Sequence, residues 1–247
     1  MTILSFPIYD LMILSGAAFL AGMIRGFVGF GTAMIYLPIA ALFLSPIQAL
    51  MTLVVIDLFG PLPLLPKVAK DVHRKDLTRL LIGTVIALPI GIATLLVLSP
   101  DMFRFIVSVV ALVMLAGLIG GWRYHGTLPG PAVVGTGMAA GFLGGVAGIP
   151  GPPVIFVYMA SPHPPNVIRA NTTFYLYGYD ILLLIMLLIQ TTISWTHMVL
   201  GLILSVPYLL GNLSGAALFR PDKERVFRYT AYTLIAGSAV IGLPFWG

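Results

Sequence analysis

The stretch GFLGGVAGIPGPP, residues 141–153, places five glycines and three prolines in thirteen positions of a chain that otherwise reads as apolar helix. Glycine and proline in such density usually mark a solvated loop. Here apolar sequence flanks them on both sides. Inside a bilayer, irregular backbone is tolerated only where protein surrounds it or where it lines a water-filled cavity. The stretch therefore predicts a helix that breaks within a membrane-embedded bundle.

Composition supports a membrane setting. Of 247 residues, 59% are hydrophobic and only 9% charged, against about a quarter charged in a soluble domain. So few polar side chains cannot cover a water-soluble core, and an integral membrane protein is expected. The absence of cysteine excludes disulfides, thiolate catalysis and cysteine metal sites. A net charge of +5 raises the question of nucleic acid, but the thirteen basic residues form no patch interleaved with aromatics. The opening MTILSFPIYD lacks the basic n-region of a cleavable signal, so the first helix is expected to direct its own insertion.

Four stretches of membrane-crossing length carry no charge: 80–98, a second at 105–122, a third at 198–219 and a last at 229–247. Three more carry one ionisable residue each: 11–30 with Arg25, 47–66 with Asp57, and 171–190 with Asp180. The stretches 27–44 and 131–160, rich in glycine and proline, read as short or broken helices. About ten hydrophobic elements result. Basic residues collect on the cytoplasmic side of membrane proteins. The loop 67–79 holds five, the loop 220–228 holds four, and Arg123 makes ten of thirteen. The opposite segments, 1–10, 99–104 and 190–197, hold only Arg104. Both termini are then expected outside.

The chain also repeats itself. AGMIRGFVGF at 21–30 aligns with AGFLGGVAGI at 140–149, an offset of 119 with four identities in ten. The same offset sends the basic loop 67–79 onto 186–198, which has no lysine or arginine and was assigned to the other side. Equivalent positions thus face opposite sides, as in inverted-repeat transporters. The expected fold is an all-α integral membrane protein of two inverted repeats, each of about five helices with broken or re-entrant Gly/Pro-rich segments. The first repeat spans 1–122, a cytoplasmic linker 123–130, and the second repeat 131–247.

Within the membrane, a broken helix exposes N–H groups and a positive dipole end that suit an anion. Gly29, Gly31, Thr32, Gly148 and Gly151 are the candidate positions at the two breaks. Close packing is the alternative role for such glycines, and it is the expected role of Gly117, Gly121, Gly211 and Gly215. Arg25 adjoins the first break, and Arg169 follows the second with Asn171, Thr172 and Tyr175 close in sequence. A guanidinium offers forked donors that match oxyanions. Either arginine could instead extend from a helix end to a headgroup. Asp57 and Asp180, in mid-segment, are candidates for proton coupling or for neutralising an arginine. His73 and His125 fall in loops expected on the cytoplasmic side, His163 in a proline-rich corner and His197 at the outer surface. None has a metal-ligand spacing, and neither a metal nor another cofactor is expected. No P-loop, HExxH or GxSxG occurs, so an enzyme or an ATP-driven pump is not expected.

At the two breaks the sequence resembles the sulfite exporter TauE/SafE family, also called toluene sulfonate uptake permeases. The first copy is AGMIRGFVGFGTAMIYLP, 21–38, followed by SPIQAL from Ser45; the second is AGFLGGVAGIPGPPV, 140–154, followed by PPNVIRANT, 164–172. Pro150, Pro152, Pro153 and the GFGT ending of the first copy depart from the glycine-only pattern. The resemblance implies a bacterial inner-membrane secondary transporter of sulfite, organosulfonates or related sulfur and carbon oxyanions. A gated anion channel is the alternative. Partners implied are a small anion and the lipid bilayer, with no nucleic acid; assembly into a homo-oligomer stays open.

Overall fold

The computed structural model describes residues 2–3, 6–62, 65–121, 129–158, 163–190, 195–218 and 224–246. Arg123 and His125, and Arg220 of the second basic loop, lie outside the described residues. Apart from a two-residue antiparallel pairing of β1 (Thr2–Ile3) with β2 (Phe6–Pro7), every described element is helical. In order these are α1 (Ile8–Val28), α2 (Thr32–Ala40), α3 (Pro46–Phe59), the single turn α4 (Leu65–Val68) and α5 (Arg74–Leu96). They continue with α6 (Pro100–Ile119), α7 (Gly130–Ala147), α8 (Gly151–Tyr158), α9 (Pro165–Gln190), α10 (Trp195–Leu218) and α11 (Glu224–Gly242). Each stretch expected from hydropathy holds a helix, but 47–66 and 229–247, expected at membrane-crossing length, appear as the shorter apolar helices Pro46–Phe59 and Tyr229–Gly242. α4 adds one turn at the entry to the basic loop.

Local chemistry explains several boundaries. Ser45 caps α3, its N–H donating to Gln48 Oε1 at 2.9 Å, and Pro46 takes the first helical position, where its missing N–H costs nothing. Asp76 sits in the first turn of α5, where a negative charge suits the helix dipole. Among the described residues, α1, α5, α6, α7, α9 and α10 are long and apolar enough to cross a membrane. Their outward faces are apolar too. On α5, Ile82, Val85, Ile86 and Ile90 are exposed while Gly83, Ala87 and Gly91 are buried. A helix that is apolar on its exposed face requires lipid rather than water around it.

The chain folds as two compact units. The first comprises Met1–Gly60, Leu98–Leu115 and Thr192–Gly247; the second comprises Pro61–Val97 and Ala116–Thr191. Each draws on both halves of the sequence; the division at 1–122 and 131–247 is one of sequence repeat.

In the first unit α1 lies against α10, α10 against α3, and α2 against α1 and α11. Glycines make the α1–α10 approach close. A Cβ at Gly22 would run into the Tyr208 carbonyl oxygen, and one at Gly211 into that of Phe19. Gly26 and Gly215 stand in similar contact with the facing backbone. In the second unit α5 lies against α7 and α9, and α8 touches α7 and α9. There Gly83 abuts the Val134 carbonyl and Gly137 the Leu80 carbonyl. Small residues let helix backbones meet at van der Waals distance, the main source of adhesion where lipid removes the hydrophobic drive. Gly117 and the Gly211–Gly215 pair thus pack as expected, and a Cβ at Gly117 would run into the Phe156 ring. Gly121 does not: nothing lies within 4 Å of a Cβ there, and its φ of 63° marks a backbone turn after α6.

Overpacking costs about 1–3 kcal/mol, which for a chain of this size is about 2–12 °C in unfolding midpoint. Gly22→Ala should lower the midpoint by that amount in detergent. Gly16→Ala, on the same helix with nothing within 4 Å, should leave it unchanged or raise it.

Candidate functional site

Both breaks use one device. α1 ends at Gly29 with φ 85°, its N–H donating to the Arg25 carbonyl at 2.7 Å. α7 ends at Gly148 with φ 67°, its N–H donating to the Gly144 carbonyl at 2.8 Å. This left-handed cap satisfies a carbonyl that the helix would otherwise leave open, and side-chain-bearing residues rarely adopt it. A second positive φ, 99° at Gly31, then turns the chain into α2. At Gly29 a Cβ would meet nothing within 4 Å, so conformation rather than crowding requires the glycine. On the other side, Pro152 and Pro153 occupy the first turn of α8, where no helical N–H bond is lost. Residues 148–152 are buried, whereas Gly29 is exposed.

In the first unit, the break carries a buried polar cluster drawn from four helices. Arg25 on α1 pairs with Asp57 on α3, Nη1 to Oδ1 at 3.0 Å. Tyr208 on α10 donates its hydroxyl to the same Asp57 oxygen at 2.8 Å. Thr32, first residue of α2, accepts from Arg25 Nη1 at 3.3 Å and lies 3.3 Å from the Tyr208 hydroxyl. Arg25, Asp57, Thr32 and Tyr208 are all buried. A guanidinium and a carboxylate placed this deep need one another, because an isolated buried charge is far costlier than a hydrogen-bonded pair. Of the two roles open to Asp57 in the sequence, charge pairing with Arg25 is the one its position displays.

The second unit treats its candidates differently. Tyr175 is buried, and its hydroxyl lies 2.9 Å from that of Thr84, which donates on to the Gly137 carbonyl. Asn171 is buried, but its side-chain amide clamps a main chain: Oδ1 accepts the His73 N–H at 2.8 Å, and Nδ2 donates to the His73 carbonyl at 3.3 Å. Arg169 is exposed. Two residues apart on a helix point in nearly opposite directions, so Arg169 and Asn171 are not brought together. Thr172 is half-buried, Gly151 is buried in the second break, and Asp180 is buried on α9.

The family model for sulfite exporter TauE/SafE matches residues 14–241. The chain belongs to that family. No curated protein and no solved structure matched the chain. As a TauE/SafE member it is a multi-pass membrane protein of a transporter family, consistent with its apolar helices.

Within this TauE/SafE chain, the residue that sequence reasoning missed is Tyr208. Its position in the apolar run LSVPYLL, 204–210, was the available signal, since a buried tyrosine hydroxyl usually finds a partner. The partner comes from α3, 151 residues away in sequence, which no local pattern reveals. His197 also differs from expectation: it is buried rather than at the surface, with its ring 5.7 Å from that of Phe6.

Tyr208→Phe keeps the ring but strips a donor from the Asp57 carboxylate. Leaving a buried acceptor short of a partner costs about 1–3 kcal/mol. Thermal unfolding in detergent should register that loss, while Tyr9→Phe at an exposed position should not change the midpoint.

Proposed function

We propose that the protein is a secondary transporter of a small oxyanion, with sulfite, an organosulfonate or a related sulfur or carbon oxyanion as substrate. It works by alternating access in a bacterial inner membrane, with both termini outside and the two sequence halves as inverted repeats. The observation that carries this reading is the buried Arg25–Asp57 pair beside the first glycine break. Family membership supplies the substrate class.

The charges suggest how an anion would be accepted. With Asp57 ionised, Arg25 is neutralised and a monoanion would bring one uncompensated negative charge into a low-dielectric site. With Asp57 protonated, the pair carries one positive charge, and a monoanion restores neutrality. Binding of the anion and of a proton are then linked, each favouring the other. Thr32 and Tyr208 already lie on Arg25 and Asp57, so their hydroxyls can follow either partner as the pair opens. Gly29 and Gly148, whose N–H groups are taken up by their own helices, shape the two breaks. In the first unit Gly31 offers a backbone donor; in the second Gly151 offers a backbone donor, Thr172 and Tyr175 hydroxyls, and Asp180 a second proton carrier. Arg169, being exposed, is assigned a role in attracting the anion rather than in holding it.

Proteoliposomes loaded by sulfite, sulfate, small sulfonates and carboxylates in turn give the test. Saturable uptake should rise as the loading side is acidified, because protonation of Asp57 frees Arg25. Arg25→Ala should abolish it. Asp57→Asn, fixed in the neutral form, should transport with at least a tenfold weaker dependence on pH, and Arg169→Ala should raise KM more than it lowers the maximal rate. Unchanged uptake in both arginine variants sinks the site. Flux that climbs linearly with concentration, without counter-transport, establishes a gated channel instead.

A further inference from the structure

A second constellation lies in the other unit, at the start of α5, and the transport reading makes no use of it. His73, Asp76 and His163 present one ligand-capable atom each, all within 4.8 Å of one another. Asp76 Oδ2 stands between the imidazoles, 3.0 Å from His73 Nδ1 and 2.9 Å from His163 Nε2. The histidines were expected to be solvated loop residues without metal-ligand spacing. His73 and Asp76 are three apart, while His163 arrives from the corner before α9.

Three features separate this cluster from an ordinary surface ion pair. First, the His73 side chain is 42% exposed, yet its Nδ1 is shielded from solvent and lies outside hydrogen-bond geometry despite its 3.0 Å approach to the carboxylate. A nitrogen turned inward without a hydrogen bond of its own is suited to donate its lone pair to a cation. Second, the supports are already built. The Asn171 amide fixes the main chain of His73 from both sides, and Arg79 Nη1 holds the other Asp76 oxygen at 3.6 Å. Nearby, Asn166 Nδ2 donates to Asp71 Oδ1 at 2.9 Å, joining the same loop to α9. Outer contacts of this kind orient metal ligands and set affinity. Third, the spacing is within reach of a tetrahedron, whose metal–ligand bonds of about 2.0–2.1 Å separate neighbouring donors by about 3.3 Å. The carboxylate need yield only a few tenths of an ångström to each ring, and the two ring nitrogens, within 4.8 Å of one another, close the rest by side-chain rotation.

We propose that His73, Asp76 and His163 form a binding site for one divalent transition-metal ion, with a fourth position open to water. Two imidazoles and a carboxylate suit a borderline cation such as Zn²⁺ rather than Mg²⁺ or Ca²⁺, which prefer all-oxygen shells. The bound ion fastens the segment at Val72–His73 to the corner at His163, two points 90 residues apart in the chain. Because it would bind only where these segments meet, the ion stabilises that arrangement over any in which they separate. This site stands independently of the oxyanion reading.

The test uses the full-length protein in detergent, purified without a histidine tag and treated with chelator. Titration with Co²⁺ should give the visible ligand-field bands of a tetrahedral site, saturating at one ion per chain and bleached by Zn²⁺. Zn²⁺ alone should raise the unfolding midpoint. His73→Ala and His163→Ala should each weaken Co²⁺ binding by at least tenfold and remove the Zn²⁺ shift, with apo midpoints showing that each variant is folded. Should one fail to fold, Asp76→Asn serves in its place and is expected to lose binding likewise. Absence of a stoichiometric Co²⁺ spectrum in the unmutated protein overturns the site, and so does binding that survives in a folded His73→Ala/His163→Ala double variant.

Discussion

A helix that ends inside a bundle leaves its last carbonyls without partners, and a membrane interior supplies no water to take their place. Gly29 and Gly148 answer that constraint with the same left-handed turn, each N–H returning to the carbonyl four residues back. Once each turn exists, the chain can begin a second, short helix within the apolar layer, and polar groups can gather beside the end of the first. The cluster around Arg25 depends on this. Its guanidinium comes from the last turn of α1, its threonine partner from the first residue of α2, and the Gly29–Gly31 turn between them sets their separation.

The glycine motif therefore serves two physical ends within a few residues. Gly22 and Gly26 let α1 touch the α10 backbone, while Gly29, in open space, turns the chain. At the offset of 119, Gly141 and Gly145 press against the α5 backbone, and Gly148 turns the chain. The same letters do the same work at both copies. Prolines divide in a similar way: Pro152 and Pro153 start α8, where a missing N–H is harmless.

Charge is handled differently in the two units. In the first, Arg25 and Asp57 are buried together, with Tyr208 and Thr32 completing their hydrogen bonds. Held this way the pair is neutral overall and its charges are hydrogen-bonded, which burial in a low-dielectric interior requires. In the second unit Asp76 gathers two histidines and an arginine at the head of α5. The buried interior of that unit also holds the neutral hydroxyl contact of Tyr175 with Thr84 and the Asp180 carboxyl on α9.

Membrane residence, the number of apolar helices, the two breaks and the family were legible in the sequence, because each rests on local composition or on spacing along one chain. Hydropathy reports what a segment can be surrounded by, and glycine or proline reports what its backbone can do. Partner identity is another matter. That Arg25 meets Asp57 rather than a headgroup, that Tyr208 completes the pair, and that Asn171 clamps His73 all depend on contacts between helices far apart in sequence. So does the meeting of His163 with Asp76. The helical angle of 100° per residue decides the rest: Arg169 and Asn171, close in sequence, point apart once α9 is wound. A side chain's chemistry is written in its own letter, but its electrostatic role is set by what the folded chain places within about 4 Å of it.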